Sequence, residues 1–235
     1  MMDPISIPEA ARTLKLSPAR VRAMASRGQL PATKIADRWL IERSAVEQRR
    51  RQKVVRGRRF TPQNAWGVLL LASGEDAPNL DPSVRSRLRR AIALEGLNDL
   101  APRLRNRADV SIYGAHPGEV RYVAEDKALV PSGISAARAM GAGLLANREA
   151  DGYVAQSQLQ RFIDEHALSP REVDGNVRLR VVPDDVWQNL VGRSIAPAAA
   201  VALDLADEPD PRSEAAGKKL VSQISRQHRA RLKGR

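Results

Sequence analysis

The chain has 235 residues, of which 39 are Lys or Arg and 27 are Asp or Glu, so its formal net charge at pH 7 is +12. It contains no cysteine, which excludes disulfides, thiol catalysis and cysteine zinc sites, and an aromatic content of 3% predicts aliphatic, alanine-rich cores. No apolar run approaches the length of a membrane span, and Met-Met-Asp-Pro is no secretory signal, so we expect a cytoplasmic and most simply a bacterial protein.

The basic charge is concentrated at the two ends of the chain. Residues 1–60 contain 15 basic and 5 acidic residues, and residues 218–235 contain 7 basic residues and no acidic one. The remaining residues carry 17 basic against 22 acidic side chains, so the middle of the chain is mildly acidic. This asymmetry favours a polyanion that binds at defined places over a uniformly adhesive surface.

The stretch from Ser6 to Gly28 predicts two short helices joined by a tight turn. Ser6 and Glu9 have the spacing of a capping box. Ser17-Pro18 combines an N-cap residue with proline at the first helical position, where its missing N–H costs nothing. The second helix has inward-facing apolar residues at helical spacing, namely Val21, Met24 and Ala25. Such a pair of helices is a helix-turn-helix unit.

The residues after the second helix predict a small hairpin, or wing. Thr33-Lys34-Ile35 and Trp39-Leu40-Ile41 are β-prone runs, and Ala36-Asp37-Arg38 forms a polar turn between them. Ser44 can cap a further short helix through Val46.

This stretch resembles the excisionase and MerR-like winged helix-turn-helix family, over about one fifth of the chain. The matching residues are Ile7-Pro8-Glu9-Ala10-Ala11, Leu16-Ser17, Val21, Arg27-Gly28-Gln29-Leu30-Pro31 and Arg38-Trp39-Leu40-Ile41. The resemblance implies that the second helix enters the major groove of double-stranded DNA and that the wing contacts the backbone.

The outer side of the second helix is then the surface that faces base edges. It carries Ser17, Pro18, Ala19, Arg20, Arg22, Ala23 and Ser26. Arg20 and Arg22 can bond bidentately to guanine, which is worth about 1–3 kcal/mol of discrimination. Residues expected to neutralise phosphates instead are Arg27, Lys34 and Arg38. The alternative is a solvated pair of helices whose arginines are ordinary surface charge.

A basic bridge with the sequence QRRRQKVVRGRRF spans residues 48–60. Its cationic residues are Arg49, Arg50, Arg51, Lys53, Arg56, Arg58 and Arg59. The bridge fits an arm along phosphates or the minor groove, with an affinity that falls steeply as salt rises. The alternative is a solvated linker that contributes only solubility.

The middle of the chain predicts mainly helices. The expected elements are helices over 61–74, from 81 and over 97–104, and a strand over 108–115. The second of these helices carries four arginines: Arg85, Arg87, Arg89 and Arg90. They fit a second nucleic-acid surface or, more simply, the solvated face of an amphipathic helix.

The back half predicts short strands and helices in alternation. The expected elements are a strand over 151–154, a helix over 156–166, a half-buried strand in VRLRVVP, and helices that begin at Asp184, Pro197 and Asp210. Asp174-Gly175 predicts a hairpin turn between short β runs. The basic tail from Lys218 fits a helix that docks by its first half and frays, a second phosphate arm, or a clamp on an acidic partner.

The back half resembles antitoxins of the AbiEi type, from abortive-infection toxin–antitoxin pairs. The matching residues are Gly152-Tyr153-Val154, Gly175–Val182, Ile195-Ala196-Pro197, Ala200–Leu205 and Asp210–Gly217. The resemblance implies a regulator that represses its own operon and neutralises a nucleotidyltransferase-like toxin. The front of the chain departs from this family, because its winged unit is excisionase-like.

Motifs of enzyme chemistry are absent from the sequence. The three histidines, His116, His166 and His228, have no metal-ligand spacing, and there is no Walker loop, nucleophile elbow or HExxH motif. The acidic pair Asp184-Asp185 stands at a predicted helix start, where carboxylates stabilise the helix dipole. We therefore expect no enzymatic activity, no metal and no cofactor.

Together these patterns predict a mainly helical α+β protein. The predicted segments are a winged helix-turn-helix domain (1–48), a basic linker (49–60), a helical middle region (61–149), an α+β antitoxin-like domain (150–217) and a basic C-terminal helix or tail (218–235). We expect a nucleoid-associated, autorepressing antitoxin that binds its own operator. Inverted repeats in its promoter would imply a homodimer or two cooperating copies, because one winged unit reads few base pairs. Three alternatives stay open: an excisionase-like recombination-directionality or DNA-architectural factor, a ligand-sensing repressor without a toxin, and a protein whose charge docks RNA or a partner.

Overall fold

The structure is a computed structural model that describes residues 4–14, 16–26, 30–35, 38–43, 45–46, 58–144, 146, 148–171 and 174–233. Contacts divide the chain into two units, Met1–Arg56 and Gly57–Arg235. Each unit combines helices with a small sheet. The predicted α+β class with an N-terminal helix-turn-helix is confirmed.

The first unit is a helix-turn-helix joined to an antiparallel sheet. Its elements are β1 (Pro4–Ser6), α1 (Ile7–Leu14), α2 (Pro18–Ser26), β2 (Ala32–Ile35) and β3 (Arg38–Glu42). The strands lie in the order β1-β3-β2, so the predicted hairpin is confirmed as β2 and β3. β1 adds a third strand that the sequence pattern did not indicate, and it pairs Ile5 with Ile41.

Two serine side chains begin the helices of the first unit. The Ser6 hydroxyl accepts a hydrogen bond from the backbone N–H of Glu9 at 3.4 Å. The Ser17 hydroxyl accepts one from the backbone N–H of Arg20 at 3.3 Å. Each serine satisfies an amide that has no partner inside its helix. The predicted N-caps are therefore confirmed.

The core of the first unit is small. Its buried members among the described residues are Ile5, Ile7, Ala10, Ala11, Val21, Met24, Leu30, Ile41, Ala45 and Val46. They come from both helices, from β1 and β3, from the residues after β3, and from Leu30 just before β2. Burial of one large aliphatic side chain is worth about 1.5–3 kcal/mol, so a core of this size gives the unit a limited reserve of stability.

The second unit surrounds one mixed sheet with helices. Its elements are α3 (Pro62–Ser73), α4 (Pro82–Glu95), α5 (Leu97–Leu100), a 3-10 helix (Ala101–Arg107), β4 (Asp109–Gly114), α6 (Val120–Glu125), β5 (Val130–Pro131), α7 (Gly133–Ala136), β6 (Ala150–Ala155), a 3-10 turn (Gln156–Gln158), α8 (Leu159–Glu165), β7 (Ser169–Pro170), β8 (Val177–Val182), α9 (Asp184–Trp187), α10 (Ala198–Ala206) and α11 (Pro211–Lys233). The strand order is β5-β6-β8-β4-β7, in which only the β6–β8 pair is parallel.

The two faces of this sheet are covered by different helices. Val154 and Leu179 point into a core that Phe162 of α8 and Val123 of α6 complete. Tyr153 and the other residues of opposite parity point into a larger core built from α3, α10 and α11. This larger core takes residues from 61–149, 150–217 and 218–235, so the three predicted segments share one interior.

Capping and close packing fix the helices of the second unit. Thr61 caps α3 by accepting from the backbone N–H of Asn64 at 3.3 Å, and Gly74 ends that helix in the left-handed conformation, with φ of 85°. Asp210 caps α11 through the backbone N–H of Ser213 at 2.8 Å. A side chain at Gly217 would collide with the backbone of Ala206, so glycine allows α11 to pack closely on α10.

One interpretation of the back half is corrected by the structure. Asp174 does adopt a positive φ, of 60°, but β7 pairs with β4 rather than with β8, so the predicted hairpin is wrong. Periodicity of the short runs could not reveal the pairing of β7 with β4, since β4 lies far away in the chain. The basic tail belongs to α11, which is helical from Pro211 to Lys233 and buries His228.

Candidate nucleic-acid interface

Helix α2 has one buried and one exposed side. Val21, Met24 and Ala25 are buried in the core of the first unit. Arg20 and Arg22 point away from that core and are exposed. This division follows from helical geometry, in which residues three and four apart share a face.

The predicted base-contacting residues lie on the exposed side of α2 or at its start. The exposed members are Ser17, Pro18, Ala19, Arg20, Arg22 and Ser26, and Ala23 is half-buried. Among the described residues, the guanidinium groups of Arg20 and Arg22 have no ion pair or hydrogen bond. Their donors are therefore free to bond to acceptors outside the protein.

The wing places two of the predicted phosphate-binding residues near its tip. Lys34 is exposed on β2 and stands opposite Trp39 of β3. Arg38 is the first residue of β3 and pairs with Ile35, the last residue of β2. A cation at the tip of a hairpin is suited to a nucleic-acid backbone, which carries no sequence information itself.

Part of the predicted interface lies outside the described residues. These residues are Arg27, Arg49, Arg50, Arg51, Lys53 and Arg56, and they stay predictions. Arg58 and Arg59 are described, exposed, and close to the start of α3. The Arg58 carbonyl accepts a hydrogen bond from Arg103 Nε at 3.2 Å, and the Arg103 guanidinium lies 4.3 Å from the centre of the Phe60 ring. The backbone of Arg58 is thus tied to Arg103 within the second unit.

The comparisons with known proteins agree with this part of the fold. A family model described as a helix-turn-helix domain matches residues 5–54. This match covers α1, α2 and the wing and supports the excisionase-like interpretation of the N-terminal unit. No curated protein and no solved structure matches the chain. Within the described part of the chain, no helix has the length and apolarity needed to cross a bilayer.

A group of polar and charged residues is buried in the second unit, where the sequence provided little indication of it. We name it the Asp204 cluster, and its members are Asp204, Arg107, Arg180, Asp151, Tyr153 and Ser132. Asp204 Oδ1 accepts hydrogen bonds from Arg107 Nη2 at 2.8 Å and from Arg180 Nη1 at 3.1 Å. Its other oxygen, Oδ2, accepts one from the Tyr153 hydroxyl at 2.7 Å.

Further bonds in the cluster tie the sheet to the helices. Arg180 of β8 donates two hydrogen bonds to Asp151 of β6, at 2.7 and 2.8 Å. The Arg107 carbonyl accepts a hydrogen bond from Trp66 Nε1 of α3 at 2.8 Å. The cluster therefore connects two neighbouring strands with α3, α10 and the 3-10 helix.

The arginines decide the ionisation of the Asp204 cluster. Burial by itself raises the pKa of Asp204, but Arg180 and Arg107 outweigh it and hold that pKa below the usual value. Burial, and then the charge of Asp204, raise the pKa of the Tyr153 hydroxyl well above its usual value. Asp204 is thus a carboxylate and Tyr153 a neutral donor at physiological pH, and this arrangement stabilises the interior.

Local sequence signals for the Asp204 cluster exist but are weak. Asp204 is the one acidic residue in the apolar helix α10. Arg180 occupies a buried position of β8, where an apolar residue would be expected. An isolated charge at a core position indicates a buried partner, because an unpaired buried charge is too costly to persist. The signal does not name that partner.

Proposed function

We propose that this protein is a sequence-specific DNA-binding transcriptional regulator. The observation that carries the proposal is the α2 surface, where Arg20 and Arg22 are exposed and have no partner within the described part of the chain, while the opposite side is buried. Two guanidinium groups on a second helix of this kind fit guanine edges in the major groove. The helix-turn-helix match over residues 5–54 supports the same class of function.

The finer proposal is an autorepressing antitoxin that opposes a nucleotidyltransferase-like toxin. It rests on the AbiEi resemblance of the back half, whose matching segments include Tyr153, Arg180 and Asp204. In the Asp204 cluster, Tyr153 and Arg180 each donate a hydrogen bond to Asp204, although the three residues are far apart in sequence. The resemblance thus falls on residues that are buried in the interior of the second unit.

The proposal includes the state in which the protein acts. We propose that it works as a homodimer in the cytoplasm, on the DNA of its own promoter, because two winged units read two half-sites. We also propose that it is not an enzyme. His166 is paired with Asp126 at 2.9 Å, His228 is buried in α11 and His116 is exposed in a turn. The three histidines therefore lie at separate places in the fold.

The first test is a binding titration of the full chain against its own upstream DNA and against scrambled DNA, at several salt concentrations. We expect a preference of at least about 10³-fold that persists as salt rises. Equal binding to both DNAs, with a steep salt dependence, would contradict the regulator and support an excisionase-like architectural factor. That alternative has one observation in its favour, since the matched stretch is the excisionase-like one.

The second test separates toxin neutralisation from repression. The full chain is co-expressed with the neighbouring reading frame, and growth and promoter activity are both measured. We expect the wild type to restore growth and to repress the promoter. A variant in which Arg20 and Arg22 are alanine should also restore growth but should no longer repress the promoter. If the neighbouring reading frame is harmless when expressed alone, the antitoxin proposal is rejected and the proposal of a DNA-binding regulator remains.

A further inference from the structure

A cavity of about 390 Å³ opens beside the Asp204 cluster in the second unit. It is enclosed by the 3-10 helix, by β4 and β8, and by the turn between α10 and α11. Its lining residues are Arg105, Arg107, Ala108, Val110, Arg178, Arg180, Asp207, Glu208 and Pro209. The volume lies within the range of about 300–1,000 Å³ that is common for sites of small molecules.

The four arginines of the lining have different surroundings. Arg107 and Arg180 are buried and fixed by Asp204 and Asp151, so they form a rigid cationic wall. Arg178 is half-buried on the same face of β8 as Arg180. Arg105 is exposed and has no ion pair among the described residues. An exposed apolar side chain, Val110 of β4, supplies the remaining wall.

The carboxylate of Glu208 occupies the space between two of these arginines. One of its oxygens accepts a hydrogen bond from Arg180 Nη2 at 3.0 Å, and the other is paired with Arg178 Nη1. Burial, followed by the nearby Asp151, raises the pKa of Glu208 although both arginines act to lower it. The cavity thus already holds an anionic group, which the chain supplies from a short turn and holds in an unfavourable environment.

The charges around the cavity are compatible with the replacement of the Glu208 carboxylate by an anion from outside the chain. Without Glu208, the four arginines face three aspartates, namely Asp151, Asp204 and Asp207. The positive charge left over in this count is that of the exposed Arg105, and Arg178 and Arg180 lose the carboxylate that lies between them. A purely structural salt bridge would need neither an open cavity nor an exposed arginine, Arg105, at its rim.

We propose that this cavity binds a small anionic ligand, one carboxylate or phosphate group of which replaces Glu208 between Arg178 and Arg180. The rest of the ligand lies against Val110 and reaches Arg105. Glu208 then acts as an internal competitor that closes the site when no ligand is bound. This site belongs to the second unit alone and does not depend on the proposed DNA-binding function.

The test is a calorimetric titration of the full chain with inorganic phosphate and, separately, with citrate, at an ionic strength kept constant with NaCl. We expect saturable binding of at least one of the two, and the stronger one identifies the phosphate or the carboxylate source. Glu208→Gln should tighten binding by at least about tenfold, because it removes the competing charge. Arg178→Gln and Arg105→Ala should weaken binding by at least about tenfold, because each removes a charged donor.

Glu125→Gln is the matched control, because it removes the same charge from an exposed helical ion pair with Arg121. Its affinity for both anions should equal that of the wild type. If Arg178→Gln fails to fold, as judged by circular dichroism, the exposed Arg105 and the Glu208 variant decide the outcome. The proposal is overturned if neither the wild type nor Glu208→Gln binds either anion saturably, or if Glu125→Gln tightens binding as much as Glu208→Gln.

Discussion

Arginine has opposite roles in the two units of this protein. In the first unit, Arg20 and Arg22 are exposed on α2 and have no partner among the described residues. In the second unit, Arg107 and Arg180 are buried and share the carboxylate of Asp204. The comparison shows that the arginines of this chain lie in two different environments. Exposed guanidinium groups are suited to an external polyanion, whereas the buried ones hold strands and helices together.

The units also differ in how much apolar surface supports them. The first has ten buried apolar residues in its core among those described, and the larger core of the second has 32. A small core leaves little reserve of stability, so a local defect removes a larger fraction of it. The same chemical change should therefore have different consequences in the two units.

The largest expected effect comes from removing the central charge of the buried cluster. Asp204→Asn should lower the free energy of unfolding of the second unit by about 3–5 kcal/mol, because Arg107 and Arg180 then lack a buried counter-charge. Urea unfolding followed by circular dichroism measures the change. Asp164→Asn, at an exposed position, is the control and should leave the midpoint unchanged. Equal midpoints for both variants would contradict the role given to the cluster.

The pH dependence of stability gives a second view of Asp204. Its folded-state pKa lies below the usual value, so its stabilising contribution is complete above the pKa of the unfolded chain. The contribution is lost as the pH falls through the folded-state pKa. Asp204→Asn should therefore lose less stability than the wild type between neutral and strongly acidic pH.

The exposed arginines should behave in the opposite way. Replacement of Arg20 and Arg22 by alanine should abolish the preference for the operator, because each bidentate contact is worth about 1–3 kcal/mol of discrimination. The unfolding midpoint should stay unchanged, since both side chains are exposed. Operator binding and urea unfolding are measured on the same sample. Unchanged operator affinity would remove both residues from the interface.

The matched control for that pair lies in the second unit. Arg121 and Arg161 are exposed, and each is paired with a glutamate one helical turn further on. A double alanine variant of these two loses the same net charge from a different place. Its operator preference should equal that of the wild type, whereas an equal loss would mean that only net charge matters.

Removal of an N-cap compares the two units directly. Ser17→Ala and Thr61→Ala should each cost about 1 kcal/mol, since each hydroxyl caps a helix that begins with proline. Only Ser17→Ala should also weaken operator binding, because its helix carries the exposed arginines and depends on the smaller core. Thermal unfolding and the DNA titration measure the two effects. Equal DNA affinity for both variants would contradict the difference in reserve.

The smallest effect is expected at His228. Burial, and then the nearby Arg231, lower the pKa of His228, so the folded protein favours the neutral ring. Its stabilising contribution is complete above the unfolded-state pKa of about 6.5 and is lost as the pH falls through the folded-state value. His228→Phe should lose less stability than the wild type between pH 7 and 5, values chosen to bracket that titration. The exposed His116→Phe is the control and should follow the wild type.

Local features of this protein could be predicted from its sequence. The caps at Ser17 and Thr61, the inward residues of α2 and the β2–β3 hairpin each depend on residues within a few positions of one another. The exposed side of α2, with Arg20 and Arg22, follows from the same short-range periodicity. This is why the helix-turn-helix could be identified before any tertiary contact was known.

Only the tertiary structure decided what the charged residues of the back half do. The alternation of VRLRVV predicted a half-buried strand, yet Arg180 is buried like Val177 and Val182 of the same strand. Its partners Asp151 and Asp204 lie 29 and 24 residues away, and Arg107 lies 97 residues from Asp204. Periodicity within one element reveals which side is buried, but the partner that compensates a buried charge comes from another element. The pairing of β7 with β4, the Asp204 cluster and the cavity beside it are therefore products of packing.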